Sequence, residues 1–184
     1  MILPIYVYGS AVLREKAQDI TPDYPGLKQL IDDMWETMYY ADGVGFAAPQ
    51  VGLSIRLIVI DGKELADDDP SLKDFKRLFI NPRILEVSSE TCVYSEGCLS
   101  VPKLNADVER PKSVKLAYLN EDFQPVEETF DGFAARIVQH EYSHLEGVLF
   151  VDLVPAIRKK MLAGKLQEIA KGKSKTFYKT KVVG

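Results

Sequence analysis

The stretch "QHEYSHLEG" (139–147) contains both histidines of this 184-residue chain. His140 and His144 stand four positions apart, with Glu141 beside the first. That spacing calls for a helix, because residues i and i+4 lie one above the other on a helical face and two imidazoles there reach one metal. Glu141 turns toward a different position, from which it can take a proton from water. Phe133 and Ile137 precede His140 at helical spacing, with Arg136 on the edge of the same face. A face this apolar must pack inward, so the fold has to surround the helix. Without a metal, two imidazoles in that setting need other polar partners.

A catalytic metal commonly has three protein ligands, so a third donor is required. No third histidine exists in "HLEGVLFVD", which rules out one known extension of the pentad. Glu168 lies at a spacing that a thermolysin-like site uses, and with it the chain would be a zinc endopeptidase. Cys98 lies in "EGCLS", where Gly97 lets the backbone turn and present the thiol. Cys92, in the alternating "ETCVYS", reads as a small strand residue.

Around the pentad the chain divides into recognisable elements. Leu27, Leu30, Ile31, Met34 and Met38 form one helical stripe that stops at Asp42-Gly43. Gly43, Gly45, Pro49 and Gly52 then make a shaped loop unsuited to a regular element. "IRLIVI" (55–60) is a strand, followed by a charged surface insert at 61–77. "LFINPRIL", "EVSSETCVYSEGCLSV", "SVKLAYL" and "PVEETF" read as extended segments, the last two around the turn "NEDFQ". Asp131 is placed to cap the pentad's helix. A last helix is expected from Lys159 to Lys171, with Met161, Leu162, Leu166 and Ile169 as its stripe. No strand-helix-strand alternation is visible. The expected fold is α+β, a single domain over 1–184, with antiparallel β-sheets around the central helix and helices toward both ends.

Composition removes some function classes. With 46% hydrophobic and 27% charged residues and no apolar run of bilayer length, a membrane-spanning chain is excluded. A net charge of −4 offers no general field for nucleic acid. "MILPIYVYGS" lacks the basic start of a secretory signal and there are two cysteines, so a reducing cytoplasm is the expected setting. The segment 171–184 is the exception, with Lys171, Lys173, Lys175, Lys179 and Lys181 and no acid. It reads as a solvated, partly frayed end, with contact to an anionic surface as the other reading.

Three segments in order, "GVGFAAPQ" (43–50), "EGCLS" (96–100) and "HEYSH" (140–144), resemble the motifs of the peptide deformylases, and "VLREKA" and "GVLFVDL" extend the likeness over most of the chain. The resemblance implies a hydrolase that removes the N-formyl group from the initiator methionine of nascent proteins; the lysine-rich tail adds a transient ribosome contact as the anionic surface it would meet. It implies one divalent metal, ferrous iron, on Cys98, His140 and His144; the donor types alone equally suit zinc, nickel or cobalt. It further implies Glu141 as general base and then acid, and the Gln50 amide and Leu99 N–H as donors to the developing oxyanion. Val44, Gly45, Tyr94, Phe133, Arg136 and Ile137 would bind the substrate, Gly45 through its backbone. Glu96 is expected to orient its loop against Arg136. The chain departs from the family's usual residues at Phe46, Ser143 and Asn105, and no catalytic role is carried to Asn105. A deformylase-shaped binding protein without activity is a third reading, which Gln50, Cys98, Glu141 and both histidines oppose.

Overall fold

The computed structural model describes residues Met1–Gly184. Its strands are β1 (Ile5–Tyr6), β2 (Gly45–Ala47), β3 (Leu57–Asp61), β4 (Lys76–Val87), β5 (Thr91–Cys98), β6 (Val101–Pro111), β7 (Ser113–Leu119), β8 (Pro125–Asp131) and β9 (Thr180–Lys181). Its helices are α1 (Leu27–Tyr40), α2 (Gly132–Leu145) and α3 (Ala156–Ala170). An antiparallel sheet of order β2-β3-β4-β7-β8 forms the centre, β5 and β6 make a separate hairpin, and β1 pairs with β9 in parallel. The architecture is the expected α+β class.

Strand β3 shows why the sheet has two covered faces. Its residues Leu57 to Ile60 are all buried, with Leu57 and Val59 packed with Met34 and Met38 of α1, and Ile58 and Ile60 with Ala135, Ile137 and Val138 of α2. An unbroken apolar run is what a strand covered on both sides requires. The pentad helix is therefore buried between the sheet and the β5–β6 hairpin. A third cluster joins Leu104, Ala106 and Val108 of β6 to Leu162, Leu166 and Ile169 of α3.

Some local expectations are corrected. The glycine loop contains the short strand β2, because Phe46 and Ala47 pair with Val59 and Ile58 and are fully buried. The insert at 61–77 is not wholly superficial, since Leu72 and Phe75 turn back into the core. Asp131 occupies the N-cap position of α2 without a side-chain bond. Met161 points outward at 68% exposure, leaving Leu162, Leu166 and Ile169 as the buried stripe of α3. The basic tail is not frayed. After Gly172 (φ 74°) it folds back across the molecule, where Ile5 N–H donates to the Lys179 carbonyl (2.9 Å) and Val7 N–H to that of Lys181 (3.0 Å).

Candidate metal centre

Helix α2 places His140 and His144 on its buried face with ring centroids 5.3 Å apart, and the end of β5 brings Cys98 to them. One ligand atom from each lies within 4.8 Å of the others, and Cys98 Sγ is 3.3 Å from His144 Nε2. With bonds of about 2.0–2.3 Å to nitrogen and sulfur, such a trio fits one tetrahedral ion that keeps an open position. The donor set of a thiolate and two buried imidazoles is itself that of a transition-metal site. Cys98, His140 and His144 thus meet the steric and chemical requirements of the expected centre.

The His140 ring is held from behind. Its Nδ1 lies 2.7 Å from Glu96 Oε1, which leaves Nε2 for the metal. Glu96 is nearly buried and gathers two arginines as well. Arg110 donates to it from Nε (2.7 Å) and Nη2 (3.0 Å), and Arg136 from Nη1 (2.6 Å). Burial opposes its charge, but His140 and Arg110 overcome that and hold the carboxyl far below its usual range. Burial likewise opposes charge on His140, while Cys98 and Glu96 raise it to about 10. His144, with burial and the positive charge of His140 acting together, lies well below its ordinary value. A metal on either ring requires the neutral form at the ligating nitrogen.

Glu141 is buried beside the cluster, its Oε1 3.9 Å from His140 Nε2, and its Oε2 has no hydrogen-bond partner. Burial pushes its carboxyl up to about 7. Gly45 makes room for it: a Cβ there would sit 2.8 Å from Glu141 Oε1, so a larger residue would displace the carboxylate. Gly97 serves a close approach between strands and not a turn. It lies within β5, and a Cβ would meet the Asn105 side chain of β6 at 2.4 Å.

Gln50 is fixed at both ends of its amide. Its Oε1 accepts from Ala47 N–H (3.0 Å), and its Nε2 donates to Ser100 Oγ (3.0 Å) and faces Cys98 Sγ at 3.6 Å. Ser100 in turn donates to the Tyr6 carbonyl (2.6 Å). A cavity of about 900 Å³ opens over these groups, lined in part by Val44, Gly45, Gln50, Cys98, Leu99, Phe133, Arg136, Ile137, His140 and Glu141.

Two anticipated participants stand elsewhere. Tyr94 shares a strand face with Glu96, but its ring packs edge-on against Phe133 (centroids 5.5 Å) and it does not line the cavity. Glu168 is exposed on the outer side of α3, near Lys173, and cannot complete the metal cluster. Arg136 stands at the cavity, with its guanidinium committed to Glu96 and to the carbonyls of Val108 (2.8 Å) and Cys92 (2.8 Å). Ser143 accepts from Arg110 Nη1 (3.0 Å), so a hydrogen bond occupies the place where an acid would make an ion pair.

Arg110 was not singled out from sequence. The signal was present in "LNADVERP", where Leu104, Ala106, Val108 and Arg110 share one parity of a strand. An arginine at a position that the alternation makes inward-facing needs a buried acid, and Glu96 supplies it.

The polypeptide deformylase family model matches residues 2–160. A peptide deformylase of Christiangramia forsetii is 47% identical over 186 residues, covering 97% of this chain and 95% of that protein. The crystal structure of the Thermotoga maritima peptide deformylase superposes with a TM-score of 0.76 at 43% identity, covering 84% of this chain and 99% of the other. That of a Legionella pneumophila peptide deformylase gives 0.81 at 34% identity over 96% of this chain and 99% of the other.

Proposed function

The chain belongs to the peptide deformylase family and is a metal-dependent amide hydrolase that removes the N-formyl group from the formylmethionine of nascent proteins; from that premise we propose how its residues share the work. Cys98, His140 and His144 hold the metal, and ferrous iron is its identity in the cell, with zinc, nickel or cobalt able to use the same donors. A divalent ion there supplies Lewis acidity and lowers the pKa of water toward neutrality.

Glu141 accepts the proton of the attacking water and returns it to the amine nitrogen as the C–N bond breaks, giving formate and a free amino terminus. Gln50 Nε2 and the Leu99 N–H donate to the formyl oxygen as negative charge develops on it. The clamp on the Gln50 amide supports this, because a donor already aimed costs no reorganisation during reaction. Val44, Phe133 and Ile137 wall a pocket for the unbranched apolar methionine side chain, and Arg136 stiffens it from behind through Glu96. Strand β2 is an edge of the central sheet, so the Gly45 backbone is free to pair with an extended peptide.

The observation that carries this reading is the cluster of Cys98, His140 and His144, of which Cys98 and His140 line a cavity that also holds Glu141 and His144 lies buried within ligand distance of both. Cys98→Ala tests it: elemental analysis of anaerobically purified protein should show metal lost, and formyl-Met-Ala-Ser should release no formate. Retention of both would overturn the assignment. No helix is long and apolar enough to cross a membrane. The substrate, a nascent formylated chain, supports a cytoplasmic location. Lys171, Lys173, Lys175 and Lys179 are exposed, which supports a transient, salt-sensitive contact with the ribosome.

A further inference from the structure

The segment that follows α3 does more than close the fold. Lys175, Thr176, Phe177 and Tyr178 line the same cavity as the metal cluster, although they lie beyond the residues matched by the family model. Tyr178 is 9% exposed, packs with the α1 core and donates its hydroxyl to the Leu99 carbonyl (2.8 Å). Thr176 Oγ donates to the Tyr178 carbonyl (2.5 Å), and β9 pairs with β1 immediately afterward. The strap is thus anchored on both sides of a bend. At that bend Phe177 remains 63% exposed, its ring 6.1 Å from that of Tyr40 at the end of α1. An aromatic held in place yet left uncovered at a cavity rim offers an apolar shelf, with the Lys175 stem beside it.

The position of this shelf fixes what can reach it. A peptide with its formyl group at Cys98 and its methionine against Val44 and Ile137 has to leave through the remainder of the same cavity, whose lining includes Asp42 and the strap residues Lys175–Phe177. At about 3.3 Å per extended residue, the second and third residues of the substrate reach roughly 7 Å beyond the methionine, into that remainder of the cavity. We propose that Lys175–Phe177 forms a subsite for the side chains of the second and third substrate residues, held in place by the Tyr178 hydroxyl on Leu99. It takes apolar side chains on Phe177, and Tyr178 is its positioning residue. The inference rests on the assignment of the cavity floor as the site of deformylation.

The test is a length series, formyl-Met amide against formyl-Met-Leu-Leu, with Phe177→Ala and Tyr178→Phe in the metal-loaded enzyme. For the tripeptide, KM should rise about three- to tenfold in Phe177→Ala, the scale of losing one modest apolar contact, with kcat within about twofold. The single-residue substrate should be unaffected by Phe177→Ala. Tyr178→Phe keeps the buried ring and should show the same length-selective rise. Equal changes for both substrates, or none, would overturn the subsite while leaving the deformylase reading intact. Absence of formate from the wild-type enzyme would take both down. Phe177 is mostly exposed, so its removal leaves the fold intact, and a coincident melting curve checks that.

Discussion

On the α2 side of the cavity, Glu96 receives two arginines and a histidine, Gln50 is gripped at both ends of its amide, and the polar groups are almost all buried. On the strap side, one tyrosine hydroxyl and a two-residue strand pairing hold a bend whose central aromatic faces solvent. The first wall invests heavily in rigidity. The second makes few contacts, and those that tie it to the rest of the molecule are long-range. The difference follows from the chemistry each has to do: metal ligands and proton carriers must hold position to a fraction of an ångström, whereas a side-chain subsite tolerates variety in what it meets.

The contrast can be broken most forcefully at Glu141. Replacing it with Gln preserves the shape and should lower kcat by roughly 10²–10⁴ while metal content, measured by elemental analysis, stays unchanged. Loss of metal in that variant would instead make Glu141 part of the ligand set. A smaller but broader effect is expected for Glu96→Gln, which leaves Arg110 and Arg136 without their buried counter-charge. Metal affinity should fall about 10–100-fold by chelator competition, with a stability loss of up to about 3–5 kcal/mol by thermal melting. The strap variants should leave metal affinity unchanged, and if they did not, the two walls would be one mechanical unit.

The smallest effect belongs to neither wall. Glu128 on β8 accepts from Arg77 (2.8 and 3.1 Å) and from Tyr118 (2.7 Å). Burial opposes its ionisation, but these donors prevail and its carboxyl lies below the ordinary 4.5. A lowered folded pKa means that the contribution is complete above about pH 4.5 and is lost as pH falls through the folded value. Glu128→Gln should therefore flatten the acid limb of a melting-temperature profile, with an effect of about 1 kcal/mol or less because the pair is partly exposed. An unchanged acid limb would show that this network adds nothing.

Much of the metal-bearing wall was legible in the chain because its signals are local. His140 and His144 declare themselves through helical spacing, and Cys98 through a short motif whose role the family resemblance supplied. Arg110 was readable in principle from strand alternation. Tyr94 entered through the resemblance alone, and no local pattern in the chain shows that its ring packs on Phe133, since alternation gives the face of a strand but not which neighbour covers it. Glu168 had an acceptable separation along the chain and lay on the outside of α3, since helix orientation is decided by Leu162, Leu166 and Ile169 packing on β6.

What the sequence determined by itself was therefore the helix that had to be buried and the two candidate metal ligands on it, while the choice of Cys98 as third donor and the reaction class came with the family resemblance. The tertiary structure alone decided that Arg110 and His140 would join Arg136 on Glu96, and that the lysine-rich end would return to the cavity. Both depend on residues far apart in the chain. Tyr178 reaches Leu99, and β9 reaches β1, through pairings that leave no periodic trace, because the energy that selects them comes from surfaces that exist only after the rest has folded.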